Sequence, residues 1–216
     1  MMLDGKDNHI SSSKILIVIL LISCLSILLI FFDNDDWSSE KYFYKQAGTG
    51  GYFNGIAWAT ILDANNIGQW THTNKKYGYG DFSWDGIFMS KGKEGWSIQG
   101  LTDGKACKYI AFELIYTDRV FRCITYNKNS TDEHKNTTFA TVLRFFNFAE
   151  WNHYKIRWRP QYCAFFINNI EVANHTQAVP HKKLYFHVHT CVAPWQHPPG
   201  GWLCVAAKNF EVKKWH

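Results

Sequence analysis

Residues 151–191 read WNHYKIRWRPQYCAFFINNIEVANHTQAVPHKKLYFHVHTC. Four short runs rich in aromatic and β-branched residues lie within it, at Tyr154–Trp158, Cys163–Ile167, Ile170–Ala173 and Leu184–Thr190. No helical period joins them, so each reads as a strand. Between the second and third, Asn168-Asn169 suits the left-handed conformations of a type I′ turn, which makes that pair a hairpin. Along Leu184–Thr190, strand alternation turns Leu184, Phe186 and Val188 to a core-like side. Tyr185, His187 and His189 take the other side, a polar-aromatic row.

The same pattern runs outward through the chain. Ile56–Leu62, Phe82–Met89, Trp96–Leu101, Lys108–Tyr116, Arg119–Tyr126, Phe139–Phe146 and Trp202–Val212 are further strand candidates, mostly separated by Gly, Asn, Asp or Pro. A two-residue turn at Thr117-Asp118 pairs Glu113 with Arg122 and Phe112 with Cys123. The glycine run Gly48–Gly51 precedes no helical pattern and reads as the lead-in to a strand, not as a phosphate loop. Composition agrees: of 216 residues, 17% are aromatic and only 19% charged, which excludes a disordered chain. The expected fold is an all-β, two-sheet antiparallel sandwich over residues 46–216.

The residues from Trp151 onward resemble the C-terminal half of concanavalin A-like sandwiches of the family-16 glycoside hydrolase (laminarinase) type. Trp151, Tyr154, Ile156, Trp158 and Pro160 fit that family's W-x-x-Y-x-I-x-W-x-P stretch, and Phe165, Asn168, Asn169, Val172 and Pro180 continue the match. The resemblance implies a jelly roll whose concave face holds glycans. On that face Tyr185, His187 and His189 become candidate carbohydrate contacts. Trp195 and Trp202, in the Pro/Gly-rich loop that follows, join them as indoles able to stack on a sugar ring.

The family's catalytic signature is missing. Its active members carry E-x-D-x-E on one cleft-facing strand, and retaining hydrolysis needs two carboxyl groups about 5–5.5 Å apart. The nearest counterpart is Glu113, followed by Ile115 and Thr117 where the other acids would stand. Arg122 opposite Glu113 further disfavours an acid role. Two readings follow: a lectin-like module without catalysis, or a divergent β-glucan hydrolase or transglycosylase that has rebuilt its pair from Glu94, Asp118 or Glu150. A purely structural surface protein would use the same fold. No cofactor is expected. The pair His187-x-His189, with His181 or His197 as a third ligand, is a weak metal signal without a nearby carboxylate or cysteine.

The N-terminus sets the expected location. Ile15–Phe32 is eighteen residues without a charge, long enough as a helix for about 27 Å of hydrocarbon. Lys6 and Lys14 precede it and Asp33, Asp35, Asp36 and Glu40 follow, so residues 1–14 are expected in the cytoplasm, 15–32 in the membrane and 33–45 as a linker to the exported sandwich. A cleaved signal peptide, or lipidation at Cys24, would export the same domain. Two of the 23 basic and five of the 18 acidic residues precede residue 37, which leaves 21 against 13 beyond it. Scattered basic charge in that compartment suits acidic polysaccharide, lipid headgroups or cell-surface polymers more than nucleic acid. The lectin-like reading expects a polysaccharide or glycoprotein glycan as partner. Cys191 and Cys204 bracket the Pro/Gly loop and form a candidate disulfide. Asn129, Asn136 and Asn174 head Asn-x-Ser/Thr glycosylation triplets.

Overall fold

The computed structural model describes residues 37–41, 48–61, 68–91, 95–104, 108–116, 118, 120–128, 136–143, 147–192 and 202–216. The apolar run 15–32 and the flanks read as a membrane anchor lie outside them. Among the described residues every regular element is a strand: β1 (Trp37–Lys41), β2 (Gly48–Phe53), β3 (Ile56–Ile61), β4 (Gly68–Tyr77), β5 (Gly80–Lys91), β6 (Trp96–Thr102) and β7 (Lys108–Ile115). β8 (Val120–Lys128), β9 (Asn136–Leu143), β10 (Asn152–Trp158), β11 (Cys163–Ile167), β12 (Ile170–His175), β13 (Leu184–Cys191) and β14 (Trp202–Lys214) complete them.

Two seven-stranded antiparallel sheets result. The first runs β1-β4-β13-β6-β7-β8-β9 and the second β12-β11-β10-β5-β14-β3-β2. Asn168 and Asn169 both hold positive φ, 51° and 67°, so the expected turn joins β11 to β12. The β7–β8 register pairs Glu113 with Arg122 and Phe112 with Cys123, as the sequence implied. β1 falls in the stretch expected to be a linker; its backbone pairs with β4, Trp37 opposite Thr73.

Period-two burial explains how the sheets stack. In β10, Asn152, Tyr154, Ile156 and Trp158 are buried while His153, Lys155 and Arg157 face out. Trp84, Trp158, Tyr154, Phe82, Phe88, Phe112, Phe165 and Phe186 are fully buried between the sheets. Each such ring contributes roughly 1.5–3 kcal/mol by burial alone. Polar groups taken inside are matched: Trp158 Nε1 donates to the Pro180 carbonyl at 3.0 Å. Gln99, on β6, clips the first sheet to the second. Its Oε1 accepts from Trp84 Nε1 (2.6 Å) while its Nε2 donates to the carbonyls of Ile87 (2.9 Å) and Ala206 (3.2 Å). An indole can only donate and a carbonyl only accept, so the amide orientation is fixed. Gly86 leaves the room; a methyl group there would overlap Gln99 Oε1.

The expected Cys191–Cys204 disulfide is not formed, and both thiols are free. Strand parity is the reason. Val188 and Thr190 point inward on β13, which turns Cys191 to the outer face of the first sheet. Leu203 and Val205 point inward on β14, which turns Cys204, opposite Thr60, to the outer face of the second. Two thiols on opposite outer faces cannot meet.

Candidate glycan-binding groove

The outer face of the first sheet carries a groove of about 360 Å³. Three rows of cross-strand neighbours build it. One row runs Trp70, His189, Ile98, Glu113 and Arg122 across β4, β13, β6, β7 and β8. The next runs His72, His187, Gly100, Ala111 and Ile124, and the third Lys76, Tyr185, Thr102, Tyr109 and Tyr126. Large side chains fill the outer rows, while Gly100 and Ala111 occupy the middle of the central one. The hollow is therefore a consequence of sequence: two small residues set between aromatic walls. Any Cβ at Gly100 would run into the backbone of Ile110 and Ala111, so glycine is required there.

The walls are mostly rings. Tyr109 and Tyr126 stack with centroids 5.0 Å apart and planes 28° from parallel. Trp96 stands at the other end on β6, and Trp70 packs its indole on His72 at 4.4 Å. His187 Nδ1 faces the Gly100 carbonyl at 3.1 Å and so must donate its proton, leaving Nε2 as an acceptor. Burial, with the neighbouring charge of His189, pushes the His187 pKa down to about 3, and burial takes His189 to about 4. Both rings are neutral at physiological pH. Burial and the Glu113 charge raise the Tyr109 pKa, so its phenol keeps the proton and can donate.

Glu113 is the acidic residue of the lining, and it is spoken for. Its Oε2 receives Arg122 Nε at 2.5 Å, with the carboxylate side chain only 8% exposed. On β7 the lining includes Tyr109 and Glu113 but not Ile115. By strand parity Tyr109, Ala111 and Ile115 share the face of Glu113, and none of them is an acid. Asp118 and Glu150, the sequence's alternative acids, are exposed and outside the lining, and Glu94 lies outside the described residues.

Of the five sequence-named contacts, His187 and His189 line the groove together. Tyr185 is on the same face, 5.0 Å from the His72 ring and capped by Lys76 Nζ at 4.6 Å. Trp202 is not with them: it begins β14, opposite Lys91, in the other sheet. Trp195 lies outside the described residues. His181 pairs with the Tyr79 hydroxyl at 3.0 Å, and among the described residues no group of three His, Cys, Asp or Glu is arranged to hold a metal ion. Sequence reasoning missed Trp70, Trp96, Ile98, Tyr109 and Tyr126.

No protein-family model and no curated protein matches the sequence. Solved structures do. A β-glucanase from Bacillus licheniformis superposes with a TM-score of 0.63 at 12% identity, covering 86% of this chain and 95% of that one. A family-16 glycoside hydrolase from Bacteroides ovatus, acting on mixed-linkage glucan and solved with its product, gives 0.61 at 10% identity, covering 85% and 97%. The catalytic domain of an endo-1,3-β-glucanase (laminarinase) from Thermotoga petrophila gives 0.57 at 13%, covering 85% and 94%. With two antiparallel sheets in this arrangement and such neighbours, the chain carries the concanavalin A-like sandwich fold of the family-16 glucanases.

Proposed function

We propose that the groove binds a β-linked glucan or a closely related neutral polysaccharide and does not cleave it. The observation that carries this reading is the lining: stacked and edge-on rings on the face that also holds the small residues Gly100 and Ala111, with Glu113 already committed to Arg122. Flat apolar faces with a few fixed donors and acceptors suit pyranose rings. Two-carboxylate hydrolysis needs a partner that the described lining does not offer.

Hydrolysis is the second reading, and the named structural neighbours favour it, since each is a glucan hydrolase. In that case Glu113 is the residue to act as acid or nucleophile, released from Arg122 when substrate enters. The apolar run 15–32 supports placing the sandwich on the outer side of a membrane, tethered to it. Retention on insoluble β-glucan, chitin, cellulose and an acidic polymer tests the binding claim. Salt-resistant retention on a neutral β-glucan supports it. Retention on the acidic polymer alone, lost with salt, would assign the attraction to the basic surface and refute a groove ligand.

A further inference from the structure

Both sheets end on the same side of the sandwich. β9 closes the first sheet and β12 the second. His175 on β12 ties the two together, its ring nitrogens meeting Thr141 Oγ1 on β9 at 2.9 Å and Thr125 Oγ1 on β8 at 3.3 Å. An outermost strand offers its outward backbone N–H and C=O groups to any other strand that approaches. β9 is badly defended against that: NTTFATVL has no charge and no proline and is rich in β-formers. β12 carries one charge, Glu171. Charge and proline, two of the usual guards of a sheet edge, are therefore almost absent from these two strands.

Two of the chain's Asn-x-Ser/Thr triplets fall on this side. Asn136 opens β9 and Asn174 sits on β12, while Asn129 lies outside the described residues. Asn174 is exposed because its neighbour His175 takes the inward position, and Thr176, the triplet's hydroxyl residue, is exposed as well. Its Nδ2 approaches Glu171 Oε1 at 3.4 Å, too far for a firm hold.

We propose that Asn136 and Asn174 carry N-linked glycans, and that the glycans cap the β9/β12 side against strand addition. The inference rests on export of the sandwich. The donor would be a polyprenyl-pyrophosphate-linked oligosaccharide. A bond forms from the asparagine Nδ2 to the sugar's anomeric carbon, and the bond from that carbon to the pyrophosphate oxygen breaks. The pyrophosphate leaves with the electron pair and the amide gives up one proton.

The test is translation of the full chain with endoplasmic-reticulum microsomes, followed by protease and then endoglycosidase. The expected result is a protease-protected chain with discrete endoglycosidase-sensitive mass steps, one fewer in Asn174→Gln. A protected chain without such steps overturns the modification, and an unprotected chain overturns it through failed export. Neither result bears on polysaccharide retention, which reads the groove separately. For the capping claim, glycans are removed enzymatically from the folded, purified glycoprotein. Its association rate should rise about tenfold or more at equal concentration; an unchanged rate overturns the capping role. Enzymatic removal avoids variants that fail to fold.

Discussion

Glu113 and Arg122 face each other at 2.5 Å on neighbouring strands, and what they do to each other decides the chemistry of the groove. Arg122 is 28% exposed and the carboxylate 8%, so each depends on the other to offset lost hydration. Arg122→Ala leaves a nearly buried anion and should cost about 3 kcal/mol, read by urea denaturation. Replacing both residues by leucine should cost much less, because no orphaned charge remains. A stability loss in the double variant equal to that of Arg122→Ala would mean the pair is not the source. On the opposite wall, Tyr126 is partly exposed and stacks on Tyr109. Tyr126→Ala should weaken β-glucan binding about tenfold, or roughly 1.4 kcal/mol, as measured by affinity electrophoresis, with little change in Tm.

The strands that were legible in the sequence are those whose inward residues are apolar. β10 and β11 show it best: Tyr154, Ile156, Trp158, Cys163, Phe165 and Ile167 all point inward and are buried. β4 was invisible for the opposite reason. Its inward positions are Gln69, Thr71 and Thr73, and these polar residues are accommodated by bonds no sequence shows, such as Thr71 Oγ1 donating to the Trp58 carbonyl at 2.7 Å. With β4 went Trp70 and His72, one side of the groove. Cys191 and Cys204 are near in sequence, but the parity of β13 and β14 turns them to opposite outer faces, so no disulfide joins them. Gln99 belongs to the same class of hidden features, a polar residue that only the packed sandwich explains. Gln99→Leu keeps the volume but strands the Trp84 indole N–H, and should destabilise by about 2–3 kcal/mol. Equal unfolding midpoints for the variant and the parent in denaturant would refute the clip.

At the scale of the whole sandwich, protonation links fold to environment. Burial lowers the pKa of His175 to about 4, alongside His187 at about 3 and His189 at about 4. In the unfolded chain these rings protonate near pH 6.5. Between roughly pH 6.5 and 4 the unfolded state therefore binds more protons, and stability falls as pH falls. The slope should approach 1.4 kcal/mol per pH unit for each histidine, with a plateau above about pH 7. Asp81 extends the loss to lower pH. Burial raises its pKa, but hydrogen bonds from Arg159 and Lys155 and their charges outweigh that, so its carboxylate is held below the usual range and its contribution disappears last. Unfolding curves from pH 8 to 4 that superimpose would contradict this account.

A sandwich of this fold that holds a glucan without cutting it must show binding and no cleavage together. The most direct measurement incubates the full chain, in mild non-ionic detergent, with mixed-linkage β-glucan and with laminarin, and reads binding and new reducing ends in the same samples. The account predicts saturable binding, weakened by Tyr126→Ala, with no reducing ends above the blank. Reducing ends released by the parent and lost in Glu113→Gln would contradict it and establish the hydrolase reading. No binding to either glucan would remove the groove's proposed ligand altogether.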